Sequence, residues 1–174
     1  MELPRRKHIR LSDYDYSTPG AYFVTICTKG RHNLFWNRQN TFDTAVGAAI
    51  SRLSNETILP CCLTEIGEIV NQAIQNIPHC YSMITVDKYV IMPNHVHLIL
   101  RIDWYESGLD MISAPTISMV IGQMKRWASK KAGQALWQKS YHEHVIRSEN
   151  DYLEIRKYIE ENPAKWAEDR YYAT

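Results

Sequence analysis

"KYVIMPNHVHLIL", residues 88–100, is the stretch that decides the fold. Aromatic and β-branched residues are dense on both sides of Pro93-Asn94, a dipeptide that favours a tight turn. The pattern predicts two strands, residues 83–92 and 95–102, joined as an antiparallel hairpin. The second of these strands opens with two histidines one residue apart.

His95 and His97 lie on one face of the predicted strand, because residues i and i+2 of a strand project to the same side. An imidazole is costly to bury without a partner, so the pair raises the question of what it binds. The two rings could share one metal ion, or each could hydrogen-bond to a nearby carboxylate in a purely structural role. His-x-His is a short pattern with many chance matches, so the spacing alone leaves both alternatives open.

The elements around the hairpin predict an α+β domain built on one antiparallel sheet. Periodicity and capping residues predict strands at 21–28 and 141–147, a helix at 64–77 ended by Pro78, a helix whose apolar face runs from Ile117 to Ala128, a last helix at 149–162 ended by Pro163, and a weaker helical pattern between Phe42 and Leu53. We expect residues 1–174 to form a single domain with a basic N-terminal arm at about residues 1–20.

The bulk composition is that of a globular protein. The chain has 174 residues, of which 45% are hydrophobic and 22% charged, with a formal net charge of +1. That balance gives no global argument for nucleic-acid binding, so any such argument must come from local patches. Neither a transmembrane span nor a signal peptide is recognisable, and we expect a cytoplasmic protein with no membrane partner.

The cysteines give a weak signal. None of Cys27, Cys61, Cys62 and Cys80 forms a CxxC pair. A zinc site from Cys61, Cys62, His79 and Cys80 is one alternative, in which chelation would unfold the chain. Reduced, buried thiols are the interpretation we favour.

The last predicted helix offers groups that could complete a metal site. Asn162 is a candidate oxygen ligand, and Tyr158 lies four residues before it on the same helical face. A tyrosine beside a metal-bound phosphate is a chemically reasonable nucleophile. The chain has 11 tyrosines, so Tyr158 is also explained as a packed aromatic residue of an amphipathic helix.

These motifs together resemble a known family. "YVIMPNHVHLIL" and "WQKSYHEHVIRSENDYLEIRKYIEENPAKW", with the earlier "DYDYSTPGAYFVTICTKGR" and "LTEIGEIV", resemble the REP-associated tyrosine transposases, a branch of the single-tyrosine HUH transposases. The resemblance covers residues 5–30 and 63–170, whereas residues 31–62 do not match well.

The resemblance implies a ferredoxin-like (RRM-like) antiparallel sheet with helices packed on one face, which is the HUH transposase fold. It implies that His95, His97 and Asn162 bind Mg²⁺ or Mn²⁺ and that Tyr158 is the nucleophile. Tyr158 would cleave single-stranded DNA beside a hairpin such as a REP element, leaving a 5′-phosphotyrosine link and a free 3′-hydroxyl for strand transfer. Related transposases act as homodimers or as monomers, and the sequence leaves both open. The alternative is a non-catalytic nucleic-acid-binding domain on the same fold.

Basic residues outside the motif are candidates for DNA contacts, although a charged helix face is often only a solvated surface. The second histidine pair, His142 and His144, again shares a strand face, but no residue comparable to Asn162 follows it. We predict that His144 supports the site or faces DNA. The candidate DNA contacts are Arg5, Arg6, Lys7, Arg10, Lys125, Arg126, Lys130 and His144.

Overall fold

One antiparallel sheet organises the described part of the chain. The structure is a computed structural model that describes residues 15–37, 63–103 and 115–172. Within them four strands lie in the order β2-β3-β1-β4. Their bounds are β1 Gly20–Cys27, β2 Ile84–Ile91, β3 His95–Ile102 and β4 His142–Ile146. Each predicted strand is confirmed to within a residue or so, and the order is that of a ferredoxin-like sheet.

Helices connect and follow the strands. They are α1 Glu65–Gln75, α2 Ile77–Cys80, α3 Ile117–Lys131 and α4 Glu149–Glu161, with 3₁₀ segments at Lys29–Arg31 and Asn162–Glu168. The three longer helices begin after hydroxyl side chains that accept a hydrogen bond from a first-turn amide, namely Thr64, Thr116 and Ser148. The Ser148 cap was predicted from its spacing to Asp151, and the bond from Asp151 N is 3.2 Å long.

Two prolines act differently from the prediction. Helix α1 already ends at Gln75, and Pro78 lies in the first turn of the short helix α2 rather than after a helix end. Pro163 follows the end of α4, but the chain continues there as the 3₁₀ segment. A first-turn proline lacks only an amide that would have no intrahelical partner, so it starts these segments. The helical pattern between Phe42 and Leu53 falls outside the described residues.

The two faces of the sheet are covered by different helices. Alternate residues of β3, among them Val96 and Leu98, enter the larger core with residues of α1 and α3. The opposite face carries His95, His97 and Ile99, and a smaller cluster forms there between Ile99 and Ile159 of α4. The crossover helices α1 and α3 therefore pack on one face, as the family resemblance implied, while α4 and the following 3₁₀ segment add a second layer on the histidine face, beyond that expectation.

A bulge in β2 helps to fasten α4 to the sheet. The register with β3 shifts between Val86 and Lys88, so Asp87 and Lys88 both reach α4 instead of pointing to opposite faces. The Tyr152 hydroxyl donates to Asp87 Oδ2 at 2.7 Å. Lys88, which is only 5% exposed, pairs through Nζ with Glu160 Oε1 at 2.9 Å.

The Lys88–Glu160 pair predicts an asymmetry between two substitutions. Glu160→Ala leaves a buried ammonium without its carboxylate and should lower the free energy of unfolding by about 2 kcal/mol. This is less than the cost of breaking a fully buried ion pair, because Glu160 is half exposed. Lys88→Met removes the buried charge and should cost less than about 1 kcal/mol. Urea denaturation measures both free energies of unfolding. Lys157→Met is the control, because it removes an exposed cation of α4, the helix that carries Glu160. Equal losses for Glu160→Ala and Lys88→Met would contradict the asymmetry.

Candidate functional site

The two histidines of β3 meet at the end of the strand under α4. His95 and His97 are 0% and 1% exposed. Their Nε2 atoms lie 2.9 Å apart, and the rings meet edge to face. The predicted shared face is confirmed, and both rings direct the same nitrogen toward a single point.

The Asn94 side chain determines which ring nitrogen of His95 carries the proton. The Asn94 Nδ2 group donates to the backbone carbonyls of Tyr171, at 2.7 Å, and Arg31, at 3.2 Å. Because carbonyl oxygens only accept, the amide oxygen Oδ1 must be the atom that faces His95 Nδ1, 2.9 Å away. That oxygen also only accepts, so Nδ1 of His95 carries the proton. Nε2 of a neutral His95 then presents a lone pair to the site.

Thr25 holds the second ring. The Thr25 Oγ1 atom of the neighbouring strand β1 lies 2.8 Å from His97 Nδ1. A hydroxyl can donate or accept, so His97 can present either an N–H or a lone pair at Nε2. Two facing lone pairs at 2.9 Å would repel each other, so the gap between the rings requires a shared proton or a cation.

Both rings are held neutral. Burial lowers the pKa of His95 to about 3, with the charges of Arg170 and Arg31 acting in the same direction. Burial also holds the pKa of His97 well below its usual range, and the neighbouring His95 and Arg170 add to the effect. Neutral imidazole is the form that binds metal ions, so the environment favours ligation over protonation.

Tyr158 approaches the pair from α4. Its hydroxyl lies 3.2 Å from His97 Nε2, and its ring packs edge to face on the Phe23 ring of β1. Asn162, at the C-terminal cap of the same helix, is 4% exposed, and its Oδ1 is buried without a hydrogen-bond partner among the described residues. The structure therefore brings His95, His97 and Tyr158 into contact and places the Asn162 side chain beside Tyr158.

The phenol is not activated by its protein surroundings. Burial raises the pKa of Tyr158, and the nearby Asp169 carboxylate adds to that increase. A hydrogen bond from the Asn162 side chain and the charge of Arg170 act in the opposite direction. The balance keeps the hydroxyl protonated in the protein alone, so a nucleophilic role needs additional positive charge beside the oxygen.

A cleft of about 300 Å³ opens beside the Tyr158 side chain. Its wall comes from α4, the 3₁₀ segment and the residues after it, namely Tyr158, Glu161, Asn162, Lys165, Glu168, Asp169 and Arg170. Tyr158 is 40% exposed, whereas both histidines are buried. A substrate bound in this cleft would therefore contact the Tyr158 side chain.

The C-terminal segment closes the other side of the histidine pair. The Tyr171 ring is 4% exposed and lies 4.6 Å from the His95 ring, centroid to centroid. The guanidinium groups of Arg170 and Arg31 lie over the Tyr171 ring, at 4.6 Å and 5.2 Å. Two cations are thus held near the pair without a carboxylate partner among the described residues.

The predicted DNA contacts are distributed differently. Lys125, Arg126 and Lys130 belong to α3, on the sheet face opposite the histidines. Lys125 Nζ donates to three backbone carbonyls, of Gln138, Lys139 and Ser140, which indicates a structural role. Arg5, Arg6, Lys7 and Arg10 fall outside the described residues.

His144 lies on the histidine face, two strands from His97. It pairs in register with Phe23, whose ring stacks on His97 at 5.3 Å. Its Nε2 atom lies 2.8 Å from Asp151 Oδ2 in the first turn of α4. His144 thus links the edge strand to the helix that carries Tyr158, in keeping with a supporting role.

The zinc alternative gains no support. Among the described residues, one group of potential ligands lies close enough to hold an ion, and it consists of His95, His97 and Asp169. Cys80 is exposed and Cys27 is buried as a free thiol. Cys61 and Cys62 fall outside the described residues.

Sequence reasoning missed the residues that orient the site. The sequence pattern predicts Asn94 only as part of a turn and Thr25 only as a strand residue. Asp169 follows the last predicted helix without any recognisable spacing. Only the pairing of β1 with β3, in which Thr25 faces His97, could have identified one of them.

None of the described helices has the length and apolar character needed to cross a membrane.

Comparison with known proteins places the chain in a family. The family described as "Transposase IS200 like" matches residues 20–162. An uncharacterized protein of Haemophilus influenzae is 31% identical over 188 residues, covering 98% of this chain and 94% of that protein. A solved REP-associated tyrosine transposase bound to a REP hairpin shares the fold, with a TM-score of 0.52 and 20% identity over 95% of this chain and 74% of the other. The family match spans most of the chain, including both histidines and Tyr158, so the chain belongs to the IS200-like transposase family.

Proposed function

We propose that this transposase cleaves and rejoins single-stranded DNA beside hairpins, with Tyr158 as the nucleophile. One observation carries the proposal: the Tyr158 hydroxyl lies 3.2 Å from Nε2 of His97, one of the two buried imidazoles. The Tyr158 side chain also lines an open cleft. Membership of the transposase family supports DNA as the substrate. The solved relative bound to a REP hairpin supports a hairpin as the recognition element.

The residues present fit a divalent metal ion. His95 presents a lone pair at Nε2, and the buried Oδ1 of Asn162 lacks a partner among the described residues. His95, His97 and Asn162 would hold Mg²⁺ or Mn²⁺, the ions that the family resemblance implies, with Asn162 supplying an oxygen ligand of the kind these ions prefer. A bound ion would polarise the phosphoryl oxygens of the substrate and stabilise negative charge beside Tyr158.

The chemistry follows from the position of the phenol. The Tyr158 oxygen attacks the phosphorus and forms a P–O bond, while its proton passes to solvent. The bond from phosphorus to the 3′ oxygen breaks, and that oxygen takes up a proton to become a 3′-hydroxyl. The phosphate stays joined to the 5′ carbon of the next nucleotide, so the link is a 5′-phosphotyrosine. Attack by a 3′-hydroxyl reverses the step and joins strands without a nucleotide cofactor.

The remaining contacts complete the proposal. Arg5, Arg6, Lys7 and Arg10 are proposed to contact DNA phosphates as an N-terminal arm of the single domain. Arg126 and Lys130 are exposed on α3 and would contact DNA only if it wraps around the sheet. A monomer suffices for the chemistry, because one chain supplies both histidines, Asn162 and Tyr158.

A covalent-capture assay tests the proposed function. The full chain is incubated with Mn²⁺ and labelled hairpin oligonucleotides from the genome that encodes it, first in a mobility-shift assay to select hairpins that bind. Bound hairpins are then analysed on a denaturing gel with and without EDTA. We expect a denaturant-resistant band that requires the metal, and peptide mass spectrometry should locate the nucleotide on Tyr158.

Two outcomes would contradict the proposal. A hairpin that shifts in the native gel but never forms the covalent band would favour the non-catalytic nucleic-acid-binding domain. A covalent band that forms equally in EDTA would contradict the metal dependence while leaving DNA cleavage in place.

A further inference from the structure

We propose that Asp169 is an additional, carboxylate ligand of the divalent ion, so that the site is a His95–His97–Asn162–Asp169 set suited to Mn²⁺ or Mg²⁺. The inference rests on the proposed function, since it concerns the same ion. It adds a ligand that no motif of the sequence indicates.

The geometry places a carboxylate oxygen within reach of both imidazoles. The ligand atoms of His95, His97 and Asp169 all lie within 4.8 Å of one another. Ligands around an octahedral ion at about 2.1 Å lie at most about 4.2 Å apart, across the ion. The two histidine nitrogens, 2.9 Å apart, already have the spacing of adjacent ligands, and a carboxylate oxygen within 4.8 Å of them needs to move by at most about 2 Å to join the same coordination shell.

The 3₁₀ segment explains how a residue so far along the chain returns to the site. Asn162 opens the segment, and Asp169 follows its last residue, Glu168. The segment is kinked at Lys165, where the backbone leaves the helical region, and the chain turns back there toward the end of α4. Asn162, Lys165 and Glu168 line one cleft with Asp169 and Tyr158.

Asn162 supplies independent evidence for a ligand at this place. Its side chain is 4% exposed, and its Oδ1 is buried without a partner among the described residues. A buried amide oxygen without a hydrogen bond is costly, and a cation between it and the imidazoles would remove that cost. Asp169 and Asn162 line the same cleft, so together they offer two oxygen ligands in addition to the imidazoles.

Asp169 also has a structural role, which uses only part of its carboxylate. Its Oδ1 accepts a hydrogen bond from the backbone N–H of Tyr171 at 2.6 Å. In the described part of the chain, Oδ2 accepts none. One oxygen therefore holds the turn while the other is free to bind a cation.

The carboxylate changes the chemical character of the site. Two imidazoles and an amide are neutral ligands, and imidazole favours zinc and copper over magnesium. A carboxylate adds a full negative charge and a hard oxygen atom, the kind of ligand that Mg²⁺ and Mn²⁺ prefer. Asp169 would thus shift the preference of a histidine pair toward the ions proposed for the reaction.

Calorimetric titration of the full chain with MnCl₂ tests this proposal without measuring activity. Asp169→Asn removes the charge but keeps a side-chain oxygen that can accept from Tyr171, so the turn is preserved. We expect this variant to bind Mn²⁺ about 10-fold more weakly or worse, and to lose less affinity for Zn²⁺. Glu168→Gln is the matched control, because it removes a neighbouring carboxylate of the same cleft that lies outside the ligand group. Thermal unfolding checks that both variants are folded.

The outcomes separate this inference from the proposed function. Tight Mn²⁺ binding by the wild type and equally tight binding by Asp169→Asn would overturn the role of Asp169 and leave the metal site at His95 and His97 intact. A tenfold loss in Glu168→Gln as well would show a general charge effect, and would also overturn it. A wild type that binds no Mn²⁺ would contradict the metal site itself.

Discussion

Tyr158→Phe should abolish covalent attachment to DNA, reducing the rate of adduct formation by about 10³-fold or more, because the substitution removes the attacking oxygen itself. The ring stays in place against Phe23, and the lost hydrogen bond to His97 is partly exposed. Hairpin affinity and the unfolding midpoint should therefore change little. Single-turnover assays on a hairpin that binds the wild type measure the rate, and a mobility shift measures the affinity.

Tyr152→Phe is the matched control for this experiment. Tyr152 lies on the same helix and donates to Asp87 across the bulge of β2, away from the histidines. Its substitution should cost about 1 kcal/mol of stability and leave the adduct in place. A band that survives in Tyr158→Phe and disappears in Tyr152→Phe would overturn the assignment of the nucleophile.

The hairpin explains why the fold could be predicted from sequence. Two runs of β-branched residues around Pro93-Asn94 specify a local pairing, and the helical periodicities on either side specify which face of each helix is buried. Those signals are local, so all four strands were found. The local patterns could not predict that α4 covers the histidine face. That packing depends on the β2 bulge and on the contacts of Lys88 with Glu160 and of Asp87 with Tyr152.

The same distinction holds for the site. His95 and His97 share a face by strand geometry, and Tyr158 and Asn162 share a helical face, so each pair was visible in the sequence. That the two pairs meet was implied only by the family resemblance. The residues that orient or supplement them come from elsewhere: Thr25 through strand pairing, Asn94 through contacts with Tyr171 and Arg31, and Asp169 through the path of the 3₁₀ segment.

Gly67→Ala should be among the most destabilising single-methyl changes in this chain. A Cβ atom at this position of α1 would lie 2.4 Å from the backbone oxygen of Phe35 and 3.0 Å from Leu63 Cβ. A backbone oxygen cannot rotate away as a side chain can. The Phe35 oxygen also accepts from Thr64 N, while the amides of Leu34 and Phe35 both donate to the Pro93 oxygen. The helix must therefore move away from a segment that is bound on its other side to the turn before His95.

The expected loss is about 2 kcal/mol in the free energy of unfolding. It combines an overpacking cost of about 3 kcal/mol, the upper end of the usual range, with a gain of about 1 kcal/mol from the better helix propensity of alanine. Gly122→Ala, in the interior of α3, is the matched control, because a Cβ there meets nothing within 4 Å. It should gain up to about 1 kcal/mol, since only the propensity difference applies. Urea denaturation of both variants gives the two numbers. We expect the two changes in the free energy of unfolding to have opposite signs, because only Gly67 lies against the backbone of Phe35. A Gly67→Ala variant that is more stable than the wild type would mean that α1 does not approach Phe35 so closely.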